Sequence, residues 1–424
     1  MKEYLNKLPK EILDLIYAAC DIANRDSLPI YLVGGFVRDL ILGVKNFDLD
    51  MVVEGDGINF AEKFAKCLKA KLIRHRRFGT ATIILSNHLK IDIASARKEF
   101  YPKPAHLPVV ENASLKDDHF RRDFTINAMA ISIGQENFGE LIDFFGGEDD
   151  LKKKKIQILH SLSFLDDPTR ILRAIRFEQR YDFKIEPNTL RYLRQAVKLR
   201  MLEIVEPQRV RDELILMLKE DRPIKEIKRI KHLVGFKFIN KRLSVTKKIL
   251  SLLALIEKEI NWYRNTKSFR RPLDTWLIYF IGLTDSLSVN DLKSICRKFG
   301  LKKGEEKRII TYKKIKPKLF RELGKEKIKP SKIFSSFESL SYEVILLLKA
   351  KYKNRHFQQH INDFFEIYND MRLYISGEDL HNLGIPPGPY YQKIFSMVLN
   401  AKLNGLVKTK EEELAMIKKL AKIP

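Results

Sequence analysis

The stretch Val33–Val53, VGGFVRDLILGVKNFDLDMVV, decides how the N-terminal third of this chain folds. An apolar run ends at Gly34-Gly35, a short helix follows from about Phe36, and Gly43 stands where a helix C-cap is wanted. FDLDMVV then reads as a strand, yet it carries two aspartates among Phe47, Leu49, Met51, Val52 and Val53. Burying an unpaired carboxylate costs on the order of several kcal/mol. Residues i and i+2 of a strand share a face, so Asp48 and Asp50 project together and repel unless a cation lies between them. A divalent ion with all-oxygen ligands, Mg²⁺ by choice, relieves that cost. The alternative is a strand edge facing water, against which the apolar flanks speak. The glycines fit the same picture. They let backbone approach a phosphate closely, the helix start offers free N–H groups, and Arg38 in the first turn reaches the same place.

Outward from this stretch, the chain has 424 residues, 45% of them apolar, which is too long for one core. Lys plus Arg number 79 and Asp plus Glu 54, a net charge of +25 that suits a polyanionic partner. No apolar run of ~20 residues is present, so no membrane partner is expected. The N-terminal helix carries internal charges unlike a signal peptide. Cys20, Cys67 and Cys296 form no CxxC pair, which argues against a zinc site or disulfide scaffold and fits a cytoplasmic setting.

The first ~135 residues alternate between periods. A helix (Glu11 to Ala23) precedes a strand (Ile30 to Val33), and a helix (Asn59 to Leu68) follows the aspartate strand. Further strands are expected at KLIRH, TATIILS, LKIDIAS and NAMAISI. LKIDIAS adds a strand-borne carboxylate, Asp92, which either completes a metal site or pairs with Arg97. From about residue 148 apolar residues recur at helical spacing almost to the end. The fold class is therefore α+β: a mixed-sheet head followed by a long, basic, all-helical part. Between Asp291 and Lys332, 16 Lys/Arg stand against five acids with Tyr312 and Phe320 interspersed, which suits a phosphate backbone or a solvated helix face. His356 and His360 lack carboxylates at ligand spacing and read as surface or core residues.

Two more motifs carry chemistry. In RRDFTINAMA (Arg121–Ala130), Asp123, Thr125 and Asn127 follow two arginines. Arginine grips phosphate with a fork, and Asp or Asn can read ribose hydroxyls; the plain alternative is a helix start capped by Asp123. In SFLDDPTRILRAIRF (Ser163–Phe177), Asp167, Arg170, Arg173 and Arg176 recur every three residues along a helix opened by Pro168. Cytosine and adenine both present an amino donor beside a ring-nitrogen acceptor. A carboxylate and a guanidinium are the complement, whereas uracil and guanine fail both contacts. Asp167 and Arg170 can thus select C and A without a template; otherwise they are an ordinary i, i+3 ion pair.

In this order, GGFVRD, DLD, RRDFTINAMA, FGGEDDL and DDPTRILRAIRF closely resemble the class II CCA-adding enzyme and bacterial poly(A) polymerase family of polymerase-β-like nucleotidyltransferases. The resemblance is strongest over about residues 30 to 185, and ISGEDLHNLGIPPGPYYQKIFSMVLNAKLNGLVKTKEEEL resembles the tail of many members. It implies a catalytic head (1–147), a helical neck with a base-reading helix (148–225), a helical body (226–310) and a basic, tRNA-binding tail (311–424), together seahorse-like. By it, Asp48 and Asp50 hold the two catalytic Mg²⁺ ions, with Asp92 as a third carboxylate. Gly34, Gly35 and Arg38 hold the triphosphate, and Arg122, Asp123 and Asn127 meet the nucleotide. Asp167 and Arg170 read the base, supported by Arg173 and Arg176. The family often has Glu-Asp where this chain has Asp166-Asp167, leaving the reader unchanged.

The implied partners are ATP, CTP and tRNA, gripped on its acceptor and TΨC side, with no protein partner implied. The implied reaction is transfer of CMP and/or AMP to the tRNA 3′ end with release of pyrophosphate. RKEFYPKPAHLPVVENASLKDDHFR (Arg97–Arg121) occupies the place of the family's flexible loop at full length, which speaks against CC-only addition. A-only addition stands as the alternative. Poly(A) synthesis fits the tail segment less well, a degenerate RNA-binding head fits the intact aspartates less well, and a small-molecule nucleotidyltransferase leaves the basic body unexplained.

Overall fold

The protein is described by a computed structural model covering residues 2–45, 48–266 and 272–421; Phe47, counted above among the apolar flanks, lies outside them. The chain forms two compact units, Met1–Phe238 and Ile239–Pro424.

The first unit is built on a seven-stranded mixed sheet. Its strands are β1 (Ile30–Val33), β2 (Leu49–Val53), β3 (Lys71–His75), β4 (Thr80–Ile84), β5 (Lys90–Ser95), β8 (Met129–Ser132) and β9 (Leu141–Asp143), in spatial order β3-β4-β5-β2-β1-β8-β9. Strands β6 (Arg97–Phe100) and β7 (Val109–Asn112) form a separate hairpin. Only β2 and β5 run parallel within the large sheet. Their register sets Asp50 directly beside Asp92. Sheet neighbours in register share a face, so the two carboxylates stand side by side.

One sheet face is closed by helices. Helix Lys10–Arg25 buries Ile12, Leu15, Ile16, Ala19, Ile22 and Ala23 at helical spacing. Each leucine or isoleucine among them contributes about 1.5–3 kcal/mol when fully buried. Helix Gly57–Cys67 is capped by Asp56, whose carboxylate accepts from the Ile58 and Asn59 N–H groups. Gly57 is required there: a Cβ would meet the Ser95 nitrogen at 2.6 Å.

All six strands expected within residues 30–133 are present, as is the C-cap at Gly43 with φ +69°. β9 was not foreseen, being three half-buried residues. The Arg97–Arg121 segment is more regular than a loop. After the β6–β7 hairpin, helix Leu115–Phe120 opens with a capping box between Ser114 and Asp117. RRDFTINAMA starts no α-helix; Thr125–Asn127 forms one 3₁₀ turn leading into β8.

Helices Thr169–Arg180, Pro187–Lys198, Pro207–Lys219 and Pro223–Leu233 complete the first unit. Three begin with proline at the first turn, where a missing N–H does no harm. The second unit is helical throughout its described residues, with Thr275–Leu283 and Tyr342–Lys351 almost wholly buried. The aromatics of the basic segment are not free for stacking on a polyanion, contrary to the sequence reading. Tyr312 is buried and donates to Asp285, and Phe320 stacks on Tyr352 at 3.7 Å. Both fill hydrophobic space that the segment's lysines cannot. His360 is a core residue, its Nε2 3.0 Å from the Lys325 carbonyl.

Candidate active site

A cleft of about 720 Å³ in the first unit gathers Gly34, Gly35, Arg38, Asp50, Arg122, Asp123, Asn127, Asp167, Arg170 and Arg173. These residues come from four separate stretches of sequence. Among the described residues its lining holds seven arginines and six carboxylates, so its charges are interleaved rather than purely basic.

The glycine turn is built as expected. Gly34 caps helix Gly35–Leu42 with φ +68°, a conformation that favours glycine. A Cβ on Gly34 would come within 2.7 Å of Arg122 Nη1 and 4.0 Å of Asp50 Oδ2. The missing side chain therefore admits the Arg122 guanidinium beside the carboxylate. Arg122 is aimed by Asp118, which accepts at 3.0 Å, and by the Asn127 carbonyl at 3.2 Å. Arg38 lies buried, donating to Asp39 and Asn127, with its guanidinium 5.2 Å from the Phe177 ring centre and 5.0 Å from that of Tyr181.

Asp48 is exposed just ahead of β2, and Asp50 is partly covered within it. Burial first, then the charges of Asp92 and Asp48, push the Asp50 carboxyl up to about 6 against the opposing pull of Arg122 and Arg38. Thr82, across from Asp92 in β4, donates its hydroxyl to Asp92 at 2.5 Å. Among the described residues no three His, Cys, Asp or Glu side chains are already closed around one point. The donor set nevertheless fits Mg²⁺, which takes one or two carboxylates and completes its shell with substrate phosphates and water. An acidic group raised by like-charged neighbours is one that a cation relieves.

Asp123 is buried with both oxygens engaged. Oδ1 accepts from Phe124 N and Asn127, and Oδ2 from Arg173 at 2.7 and 2.8 Å. Burial pushes this carboxyl up, but Arg173, the Asn127 bond and Arg170 together outweigh it and hold it at about 2. Arg173 also binds Glu213 at 2.9 Å. Arg176 belongs to this ladder and not to the cleft lining: it pairs with Glu213 at 3.2 Å and Glu220 at 3.5 Å.

Asp167 and Arg170 both face the cleft, each held by another partner. Asp167 Oδ1 accepts from Thr169 N and Oγ1, and its Oδ2 lies 2.7 Å from Arg209. Arg170 donates at 2.6 Å both to Ser163 and to the Arg121 carbonyl. Each of the two side chains is thus held in place at the cleft by its own partners.

Sequence reasoning missed Arg209, Asp212 and Glu213, which line the cleft from helix Pro207–Lys219. Their i, i+3, i+4 spacing in PQRVRDELILMLK was the available signal. It also missed Glu99, which from β6 of the hairpin collects Arg97, Tyr101 and Arg121 at 3.1, 2.8 and 2.9 Å. There the signal was weak, because alternating charges on a two-stranded hairpin look like any solvated strand.

Comparison with known proteins gives a consistent result. The family described as "Poly A polymerase head domain" matches residues 30–157, and "Probable RNA and SrmB- binding site of polymerase A" matches residues 182–244. An A-adding tRNA nucleotidyltransferase of Geobacter sulfurreducens is 38% identical over 419 residues, 98% of this chain and 48% of that protein. The chain spans about half the length of the curated relatives it matches. The solved structure of a CCA-adding enzyme, apo form II, is 37% identical with a TM-score of 0.77, covering 99% of this chain and 98% of that one. The Thermotoga maritima CCA-adding enzyme complexed with tRNA is 34% identical with a TM-score of 0.72, covering 100% and 98%.

Proposed function

Because the chain belongs to the CCA-adding enzyme family, we propose that it transfers CMP and AMP from CTP and ATP to the 3′ end of tRNA, building or completing CCA. The observation that carries this reading is one cleft bordered both by Asp50, with Asp92 beside it, and by the Asp167/Arg170 pair. The first pair is transfer chemistry; the second is a reader of C and A.

In this reading the backbone of Gly34 and Gly35, the helix start and Arg38 hold the triphosphate. Arg122 neutralises charge beside the α-phosphate, and Asp123, kept ionised by Arg173, faces the ribose with Asn127. Asp167 accepts from the exocyclic amine and Arg170 donates to the ring nitrogen. Arg173 and Arg176 act indirectly, fixing Asp123 and Glu213. The RNA 3′-hydroxyl gives its proton to water, its oxygen bonds to the α-phosphorus, the bond from that phosphorus to the α,β-bridging oxygen breaks, and pyrophosphate departs with that oxygen. Asp48 and Asp50 would hold Mg²⁺, with Asp92 as the third carboxylate; the metal supplies Lewis-acid activation of the hydroxyl and charge neutralisation. Residues 1–147 act as head, 148–225 as neck, 226–310 as body and 311–424 as tail, the basic helices holding the tRNA backbone on its acceptor and TΨC side without reading sequence. No described helix is long and apolar enough to cross a membrane, and a cytoplasmic site of action suits a tRNA substrate.

The test is incorporation of labelled CTP and ATP, singly and together, on tRNAs ending at the discriminator base, at C and at CC. Extension of all three supports CCA addition. AMP addition to the CC end alone supports the second reading, A-only addition, which the name of the Geobacter relative favours.

A further inference from the structure

Helix Thr169–Arg180 carries the Asp167/Arg170 pair at its start, and its far end touches the glycine turn. Arg173, Phe177 and Tyr181 follow one another at i, i+4 and i+8, so they stand on one face about 12 Å long. Phe177 and Tyr181 set their ring centres 5.2 and 5.0 Å from the Arg38 guanidinium. The Tyr181 hydroxyl donates at 3.0 Å to Asp39 Oδ1, the same oxygen that receives Arg38 Nε and Nη2, each at 2.8 Å. Asp39 is fully buried, so protein donors hold this carboxylate. From Arg38 a hydrogen bond runs to Asn127, and from Asn127 another runs to Asp123, whose second oxygen binds Arg173. The ring of contacts thus leaves the helix at Tyr181 and returns to it at Arg173, just over two turns away.

A guanidinium stacked on two rings and bonded to Asp39 and Asn127 loses little further freedom when a phosphate arrives. Burial first, against the pull of Arg38, pushes the Tyr181 hydroxyl up to about 12, so it stays a donor throughout the neutral range. We propose that Tyr181 is a positioning residue for nucleotidyl transfer: by fixing Asp39 it aims Arg38 at the triphosphate, and it locks that grip to the helix that reads the base. Without the hydroxyl, Asp39 Oδ1 loses a donor and draws Arg38 toward itself, away from the phosphates. The closed ring also means that a base seated wrongly against the helix disturbs Arg38 as well as Arg170. The inference rests on the nucleotidyl-transfer reading above and adds to it a residue outside the cleft lining.

Displacement of a fluorescent nucleotide from the full chain tests it without turnover. Two probes divide the ligand: ribose 5′-triphosphate lacks the base, and adenosine lacks the phosphates. Tyr181→Phe keeps a ring over Arg38 and removes only the hydroxyl. Its affinity for ribose 5′-triphosphate should fall roughly threefold to tenfold, while that for adenosine stays unchanged. In steady-state AMP addition, KM for ATP should rise by a similar factor with KM for tRNA unmoved. Tyr181→Leu, which also removes the stacking, should lose more of the triphosphate affinity; where it fails to fold, the phenylalanine variant decides alone. Equal losses for both probes would make Tyr181 a packing residue of the helix, and no loss for either would leave the hydroxyl idle; each of these overturns the inference. Failure of the unaltered chain to bind either probe would instead overturn the nucleotidyl-transfer reading itself.

Discussion

Arg209 grips Asp167 at 2.7 Å across two helices that are far apart in sequence, and this contact holds the carboxylate proposed to read the base in place. Thr169 fixes the other oxygen of the same group. Arg209→Ala leaves Asp167 with only that half of its support. A hydrogen bond to a charged group is worth about 1.5–3 kcal/mol. The expected result is a fall in kcat/KM for CMP and AMP of roughly tenfold to a hundredfold, with a relative gain for UMP and GMP. Competition between labelled nucleotides on one tRNA checks both; unchanged discrimination would reduce Arg209 to a structural role.

Gly34→Ala separates backbone strain from crowding. The position has φ +68° with ψ −128°, a region populated almost only by glycine, and holding alanine there costs about 1–3 kcal/mol. The added Cβ also meets Arg122 Nη1, the far end of a flexible side chain, which can swing away at little stability cost. The melt should therefore fall by a few degrees only, while nucleotide affinity falls further because Arg122 no longer lies beside Asp50. Calorimetry and fluorescent-nucleotide titration of the same sample resolve the two effects.

Much of this arrangement was legible because it is local. The glycine turn and the arginine series every three residues follow from period alone and stand on the helices where that period put them, whereas of the two aspartates only Asp50 lies within β2 and Asp48 precedes it. Asp92 was visible as a strand carboxylate, but its place beside Asp50 depends on a parallel register between strands some 40 residues apart, which no local pattern specifies. Arg209, despite its helical spacing with Asp212 and Glu213, and Glu99 were missed for a related reason. Their meaning lies in partners, Asp167 and Arg121, brought near by tertiary packing. Tyr312 and Phe320 misled because an aromatic in a basic run looks alike whether it faces a polyanion or the core.

Glu226 offers a test by pH. It is 2% exposed, its Oε2 finds no hydrogen-bond partner, and burial first, then Glu220, pushes its carboxyl up to about 9 although Arg176 and Arg180 pull the other way. A carboxyl raised on folding is stabilising in its protonated form. That contribution is complete below the unfolded value near 4.5 and is lost as pH rises toward 9. Glu226→Gln keeps the neutral shape at every pH. It should match the native chain near pH 4 and exceed it by about 1–3 kcal/mol at pH 8. Urea unfolding at both pH values checks the crossover; equal stability at pH 8 would mean that Glu226 is ionised in the fold.

Asp50 joins stability to function through the same sign. Its carboxyl is raised to about 6 by burial and by Asp92 and Asp48, so the native fold loses stability as pH climbs from about 4 through 6. Asp50→Asn removes that charge. In metal-free buffer at pH 7.5 the variant should be more stable by about 1–2 kcal/mol, a figure reduced for the partial exposure of the site, and the gain should vanish near pH 4. Nucleotide transfer should be abolished. Mg²⁺ binding favours the state that holds it, so millimolar Mg²⁺ should raise the melting temperature of the native chain and not that of the variant. If Asp50→Asn destabilises the protein at pH 7.5, the carboxylate is a structural partner of Arg122. A gain in stability with loss of transfer marks it as a charge that the fold tolerates for the metal and phosphate it meets.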